Sequence, residues 1–274
     1  MAKASSPVPA GFHSLTPYLI LDHVDRFLEF VGAGLNATEK FLMRDGQGII
    51  RHGELQLAGS ILEFAQANPD WPAMPGGLHF YVKDVDAAYA QAIRAGATSL
   101  YPPASRDYGD REAGIRDVSG NIWFLATHTA GDSYIPQNLR DLNTYFAVKD
   151  ARAFVAFLEA LFNTTAVQKD AAQDGNILHA KVQIGDTVVE VGEGRPPYGP
   201  RAVAHHHYSA DCDAVFARGL AAGCRQIQPM RDEFYGDRAG SLLDAWGNHW
   251  YIATHLEDLT SEEIAERAAA AGRG

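Results

Sequence analysis

Two periods of apolar and polar residues alternate along this chain, and the points where one gives way to the other mark its elements. The run LTPYLIL at 15–21 reads as a strand, and the segment after it carries Val24, Phe27, Leu28 and Val31 at helical spacing. Three short candidate strands follow in FLMRDG, GIIRHGELQLAG and SILEFAQ, separated by glycine and turn residues. The breaker-rich stretch NPDWPAMPGG at 68–77 interrupts the pattern, which then restarts. LHFYVKD predicts a strand, VDAAYAQAIRAGA a helix with Gly96 as its C-cap, and ATSLYPP, REAGIRD and NIWFLATH three more strands. The order strand, helix, three strands therefore occurs twice by residue 128.

It then occurs twice more, because the second half repeats the first at a constant offset of 127 residues. Leu15 matches Leu142, Tyr18 Tyr145, Phe27 Phe154, His52 His179, Glu63 Glu190 and His79 His206. The late block matches most densely. Tyr108-Gly109-Asp110-Arg111 recurs as Tyr235-Gly236-Asp237-Arg238, Asp117 as Asp244, Trp123 as Trp250, and Ala126-Thr127-His128 as Ala253-Thr254-His255. The register needs no gap, so two homologous domains are expected: 13–128 with modules 13–67 and 77–128, and 140–258 with modules 140–193 and 201–258. Residues 129–139 read as the linker between them. Residues 259–274 read as a final helix, opened by a capping box of Thr260 and Glu263, and a fraying tail.

Composition narrows the partners. With 34 acidic against 23 basic residues the formal charge is -11, which repels a phosphate backbone, so no nucleic-acid partner is expected. No apolar run approaches the roughly 20 residues of a membrane span, so no membrane partner is expected either. The segment MAKASSPVPAGFHS lacks the apolar core of a signal peptide, and Cys212 and Cys224 are too few for a disulfide framework. Both points favour a cytoplasmic protein with reduced, core-facing cysteines.

The fourfold strand–helix–three-strand order, with HFYVKDVDAAYAQAIRAGA and YGDREAGIRDVSGNIWFLATH as its most distinctive blocks, resembles the vicinal oxygen chelate superfamily, which includes glyoxalase I, extradiol dioxygenases and bleomycin-resistance proteins. The resemblance spans about residues 13–258. It implies an α+β fold of two tandem domains, each pairing two βαβββ modules into a curved mixed sheet that forms a cup, with the two domains packed as a pseudo-dimer. Such a fold hosts many chemistries, so the activity must be argued from the site.

In the metal-dependent relatives the ligands come from the first and last strand of each module. The resemblance therefore places Tyr18, Glu63, His79 and Phe124 at the ligand positions of the first domain, and Tyr145, Glu190, His206 and Tyr251 at those of the second. Those relatives carry His, Gln or Glu at all four places. Here only Glu63, His79, Glu190 and His206 qualify as metal ligands, two per domain, where zinc, iron, nickel or manganese needs more. A third donor would have to come from a tyrosine oxygen, costly at an ordinary pKa near ~10, or from His52, His179, His205 or the other domain. No cofactor is expected on this arithmetic, with a divalent metal as the alternative.

Strand alternation puts His79 with Tyr81, and His206 with Tyr208, on one face, and sends His205 and His207 to the other. Tyr18, Phe124, Tyr145 and Tyr251 add flat aromatic surface suited to a planar or apolar small molecule. His52 and His179 lie in middle strands as candidate pocket residues. Arg111 and Arg238 are candidates for an anionic ligand group at the cup mouth, or for pairing with Asp117 and Asp244. Trp123 and Trp250 should pack against helices. The reading that follows is a small-molecule binding or sequestration protein with Glu63/His79 or Glu190/His206 on the cup floor. The rivals are a metal-dependent lyase, isomerase or dioxygenase, and a non-enzymatic scaffold.

Overall fold

A computed structural model of the chain describes residues 2–173, 175–196 and 198–271, so the last three residues of the expected fraying tail lie outside the described residues. A two-residue strand β1 (Ala2–Lys3) opens the chain. The first module is β2 (Leu15–Leu21), α1 (Val24–Leu35), β3 (Thr38–Arg44), β4 (Ile50–Leu57) and β5 (Ser60–Gln66). The second is β6 (Gly77–Tyr81), α2 (Val85–Arg94), β7 (Thr98–Ser105), β8 (Asp110–Arg116) and β9 (Ile122–His128). The third is β10 (Leu142–Val148), α3 (Ala151–Phe162), β11 (Ala166–Ala171), β12 (Ile177–Ile184) and β13 (Thr187–Glu193). The fourth is β14 (Ala204–Tyr208), α4 (Cys212–Ala221), β15 (Arg225–Asp232), β16 (Asp237–Leu243) and β17 (His249–His255). Strand β18 (Glu257–Asp258), which pairs with β1, and helix α5 (Ser261–Ala270) close the described chain.

Local chemistry explains the helix ends. Asp84, Asp150 and Asp211 each accept a backbone N–H three residues on, from Ala87, Ala153 and Ala214, satisfying donors that the first turn leaves free. Thr260 and Glu263 form the full capping box of α5. Helix α2 is capped by Ala95, and Gly96 follows it at φ 106°, one residue beyond the position expected from sequence. The Tyr-Gly-Asp-Arg turns need their glycine. Gly109 and Gly236 sit at φ 93° and 94°, and an added Cβ would lie 2.7 Å from the Ala130 Cβ and the Glu257 carbonyl oxygen, respectively.

The strands form two eight-stranded mixed sheets, and these do not follow the sequence repeat. One runs β11-β12-β13-β10-β6-β9-β8-β7 and the other β15-β16-β17-β14-β2-β5-β4-β3. The second module therefore shares a sheet with the third, and the first with the fourth. The seams are antiparallel, with Asn143 opposite His79 between β10 and β6, and Thr16 opposite His206 between β14 and β2. This corrects the expectation that each repeat closes a cup from its own two modules.

The apolar cores, by contrast, keep to the repeats apart from Leu15 and Leu142, each of which joins the core of the other repeat. One gathers Phe27, Phe30, Phe64, Phe80 and Trp123 around α1 and α2; the other gathers Phe146, Phe154, Leu158 and Trp250 around α3 and α4. Each large apolar side chain so buried contributes about 1.5–3 kcal/mol. Helices thus pack within a repeat, while sheets and the concave faces they present run between repeats.

Trp123 and Trp250 are fully buried on the helix side, and each donates its indole N–H to a carboxylate, of Asp117 and Asp244 at 2.9 Å. Asp117 also accepts from the Asn121 side chain and from the backbone of Ser119 and Asn121. Arg111 and Arg238 do not pair with these aspartates. Each instead makes a two-pronged bond to a helix residue, Asp86 or Asp213, with nitrogen–oxygen distances of 2.6–2.8 Å. The aspartates are already saturated by buried donors, which explains why the arginines turn outward. Cys212 and Cys224 are buried free thiols.

Candidate functional site

Each sheet has a helix side and a cavity side, and strand alternation sorts the residues between them. On β6, Leu78 and Phe80 enter the core while His79 and Tyr81 line a cavity of about 900 Å³, here cup I. On β14, His206 and Tyr208 line a cavity of about 600 Å³, cup II. His205 and His207 point the other way. His205 lies against Trp250 and Phe146 and bonds Thr144 Oγ1 through Nε2 at 2.8 Å, and His207 lies against Phe162. Burial pushes the His205 imidazole down to about 3 and holds it neutral.

The floors follow from register. The parallel pairs Tyr145–Glu190 and His79–Phe124 adjoin at the β10/β6 seam, and Tyr18–Glu63 and His206–Tyr251 adjoin at the β2/β14 seam. The family ligand positions therefore assemble as Tyr145, Glu190, His79 and Phe124 in cup I, and as Tyr18, Glu63, His206 and Tyr251 in cup II. The expected partners Glu63/His79 and Glu190/His206 are exchanged. His79 Nδ1 lies 2.7 Å from Glu190 Oε2, and His206 Nδ1 lies 3.1 Å from Glu63 Oε1. All four groups are buried, between 1% and 8% exposed.

Electrostatics sets their charge. Burial alone would push the His79 imidazole down, but the charge and hydrogen bond of Glu190, aided by Glu112 and Asp110, outweigh it and hold it above the ordinary histidine range. His206 is raised in the same way by Glu63, with Asp237 and Glu54 assisting. Burial raises the Glu190 carboxyl, yet His79 and His179, whose Nε2 lies 3.3 Å away, bring it well below its ordinary value. On each floor the buried carboxylate thus favours the protonated form of its histidine. Among the described residues the imidazole Nε2 of His79 and that of His206 make no hydrogen bond.

The remaining candidates divide between the cups. His179 lines cup I, close to parallel with the Tyr145 ring. His52 lines cup II, its Nδ1 3.3 Å from the Tyr18 hydroxyl. Arg111 and Arg238 line neither cavity, being tied to Asp86 and Asp213.

The structure adds residues that the sequence reading missed. In cup I Glu112 accepts hydrogen bonds from the Tyr101 and Tyr108 hydroxyls at 2.6 and 3.0 Å, and its Oε2 lies 3.8 Å from His79 Nε2. Its counterpart in the repeat is Ala239, so a mismatch within a well-matched block was the available signal. Asp110 and His128, and their counterparts Asp237 and His255, join at 2.6 and 2.7 Å, with Tyr81 and Tyr208 donating to the same aspartates. Their recurrence was the signal there.

Two straps were also unforeseen. Pro7 accepts from the His255 backbone and Tyr134 from the His128 backbone, so the N-terminal segment and the 129–139 linker are equivalent pieces laid along equivalent strands. Pro9 and Phe12 thereby line cup II, and Pro136 lines cup I.

These residues do not fit a metal centre of the kind the resemblance implies. Among the described residues no three His, Cys, Asp or Glu side chains gather into a group that could hold a metal ion. Two donors on one tetrahedral metal, at bond lengths of about 2.1 Å, lie about 3.4 Å apart. The His–Glu contacts of 2.7 and 3.1 Å are shorter and are those of a direct hydrogen bond. The other positions hold Phe124 and tyrosines whose phenols stay protonated, Tyr145 being pushed up to about 12 by burial and the nearby carboxylates.

Comparison with known proteins agrees with this architecture. Residues 11–125 match the model of the Glyoxalase/Bleomycin resistance protein/Dioxygenase superfamily. An uncharacterized protein of Mycobacterium tuberculosis is 26% identical over 144 residues, covering 48% of this chain and 85% of its own length. Glyoxalase I from Zea mays superposes with a TM-score of 0.64 at 14% identity, covering 93% of this chain and 96% of its own. A putative dioxygenase from Bacillus subtilis gives a TM-score of 0.58 at 14% identity, covering 88% and 84%. At these identities the solved structures share the fold alone. Among the described residues no helix is long and apolar enough to cross a membrane.

Proposed function

The chain carries a domain of the glyoxalase/bleomycin resistance/dioxygenase superfamily, and from that premise we propose that it is a small-molecule binding protein whose ligands are planar and largely apolar. The observation that carries this reading is the composition of the ligand positions. In each cup they supply two aromatic rings and one hydrogen-bonded His–Glu pair, two possible donors where a metal needs more. What remains at these positions is aromatic surface beside one imidazole. Aromatic walls bury and stack the ligand, and the carboxylate favours the protonated form of the imidazole at the floor.

The test is equilibrium dialysis of tag-free protein against a panel of planar aromatic compounds, with metal content per chain read by elemental mass spectrometry. Panel members retained at about one or more per chain, without stoichiometric metal, support the reading. Near-stoichiometric zinc, iron, nickel or manganese, lost in a folded His79→Ala/His206→Ala variant, would overturn it in favour of metal-assisted chemistry.

A further inference from the structure

The two cups are built from equivalent strands, yet their walls have diverged. On the edge strand of cup II, Phe41 and Met43 face the cavity; the matching positions on β11 in cup I are Gln168 and Asp170. Glu112, buried in cup I among tyrosine hydroxyls, is matched by Ala239. Cup II is further closed by Phe12, whose ring meets Tyr208 edge-on at 5.8 Å, and by Leu259 and Ile264 from the C-terminal segment. Both cups also carry cations. Arg106 lies over the Tyr101 ring at 4.7 Å with Lys181 on the wall of cup I, and Lys40 lies over the Phe12 ring at 4.7 Å with Arg51 on the wall of cup II.

We propose that the cups are two sites of different specificity, cup II taking a neutral planar aromatic molecule of two or three rings and cup I rejecting that class. This rests on the binding reading above and confines its apolar ligand class to cup II. An apolar ring in cup II covers Phe12, Phe41 and Met43, all of which gain by leaving water. The same ring in cup I would meet Gln168 and Asp170 in place of Phe41 and Met43 and strip water from groups it cannot bond. Rejection by unpaired polar groups discriminates more strongly than any gain from one extra apolar contact.

The probe is N-phenyl-1-naphthylamine, neutral and fluorescent only when shielded from water, titrated into the full chain at pH 7. One probe per chain is expected. Phe41→Gln/Met43→Asp, which places the cup I residues in cup II, should weaken binding about tenfold or more. Gln168→Phe/Asp170→Met should add a second site. These positions lie on edge strands, and unchanged circular dichroism confirms that each variant folds.

Two equal sites in the unmodified chain, no binding of the probe, affinity unmoved by Phe41→Gln/Met43→Asp, or a reciprocal variant that still binds one probe would each overturn the division between cups. Where compounds of the dialysis panel still bind, only that division falls. Where none binds, the binding reading falls with it.

Discussion

Glu190→Gln perturbs the floor of cup I with almost no change in volume and exchanges a buried carboxylate for a neutral amide. Glu190 lies 2.7 Å from His79 Nδ1, and both residues are more than nine-tenths buried. Removing one partner of a buried pair costs roughly 3–5 kcal/mol, because the other charge is left uncompensated. The amide can still bond the imidazole, returning about 1 kcal/mol, so a loss of about 2–4 kcal/mol is expected near pH 6.

The loss should depend on pH. His79 is raised above its ordinary value in the fold, so its contribution is complete below the unfolded pKa near 6.5 and disappears as pH rises through the folded value. Glu190 is lowered, so its contribution is present above about 4.5 and fades as pH falls. The pair is therefore worth most between those limits. Above the folded His79 pKa the imidazole is neutral in both proteins, and the variant should then lose only about 1 kcal/mol, the difference between a charged and a neutral acceptor. Urea unfolding of both proteins at pH 6 and pH 9, followed by the emission of the buried tryptophans, measures this. A loss at pH 6 no larger than about 1 kcal/mol would show that Glu190 does not hold a charged His79.

Asp117→Ala should cost roughly 3–5 kcal/mol, because it strands the Trp123 indole N–H and the Asn121 amide where neither reaches water, at about 1–3 kcal/mol each. Asp244→Ala should match it through Trp250 and Asn248, and chemical denaturation checks both. Arg111→Ala should change stability by no more than about 1 kcal/mol, since its bond to Asp86 is solvent-screened, and thermal unfolding at low and high salt should show that small loss shrink.

What the sequence made legible follows from what a repeat encodes. An offset of 127 residues without a gap identifies equivalent positions, and period-two alternation assigns each to a face. That is why the strand–helix order, the inward placement of His79, Glu190, His206 and Glu63, and the outward turn of His205 and His207 could all be read before the structure. Equivalence does not identify neighbours. Four similar modules can join first to second and third to fourth, or first to fourth and second to third, and every strand in either arrangement keeps the same apolar face. The connections do not decide, because 68–76 and 129–141 are of similar length and neither contains a helix or strand. The ligand positions are equally silent, since either pairing puts one His and one Glu on each floor. The choice appears only at the seams, where Asn143 opposes His79 and Thr16 opposes His206, contacts between residues 64 and 190 positions apart in the chain. For the same reason the informative residues in the cups are those that break the repeat. Glu112 against Ala239, and Phe41 and Met43 against Gln168 and Asp170, carry no periodic signature, and they are where two cavities on one scaffold acquire different chemistry.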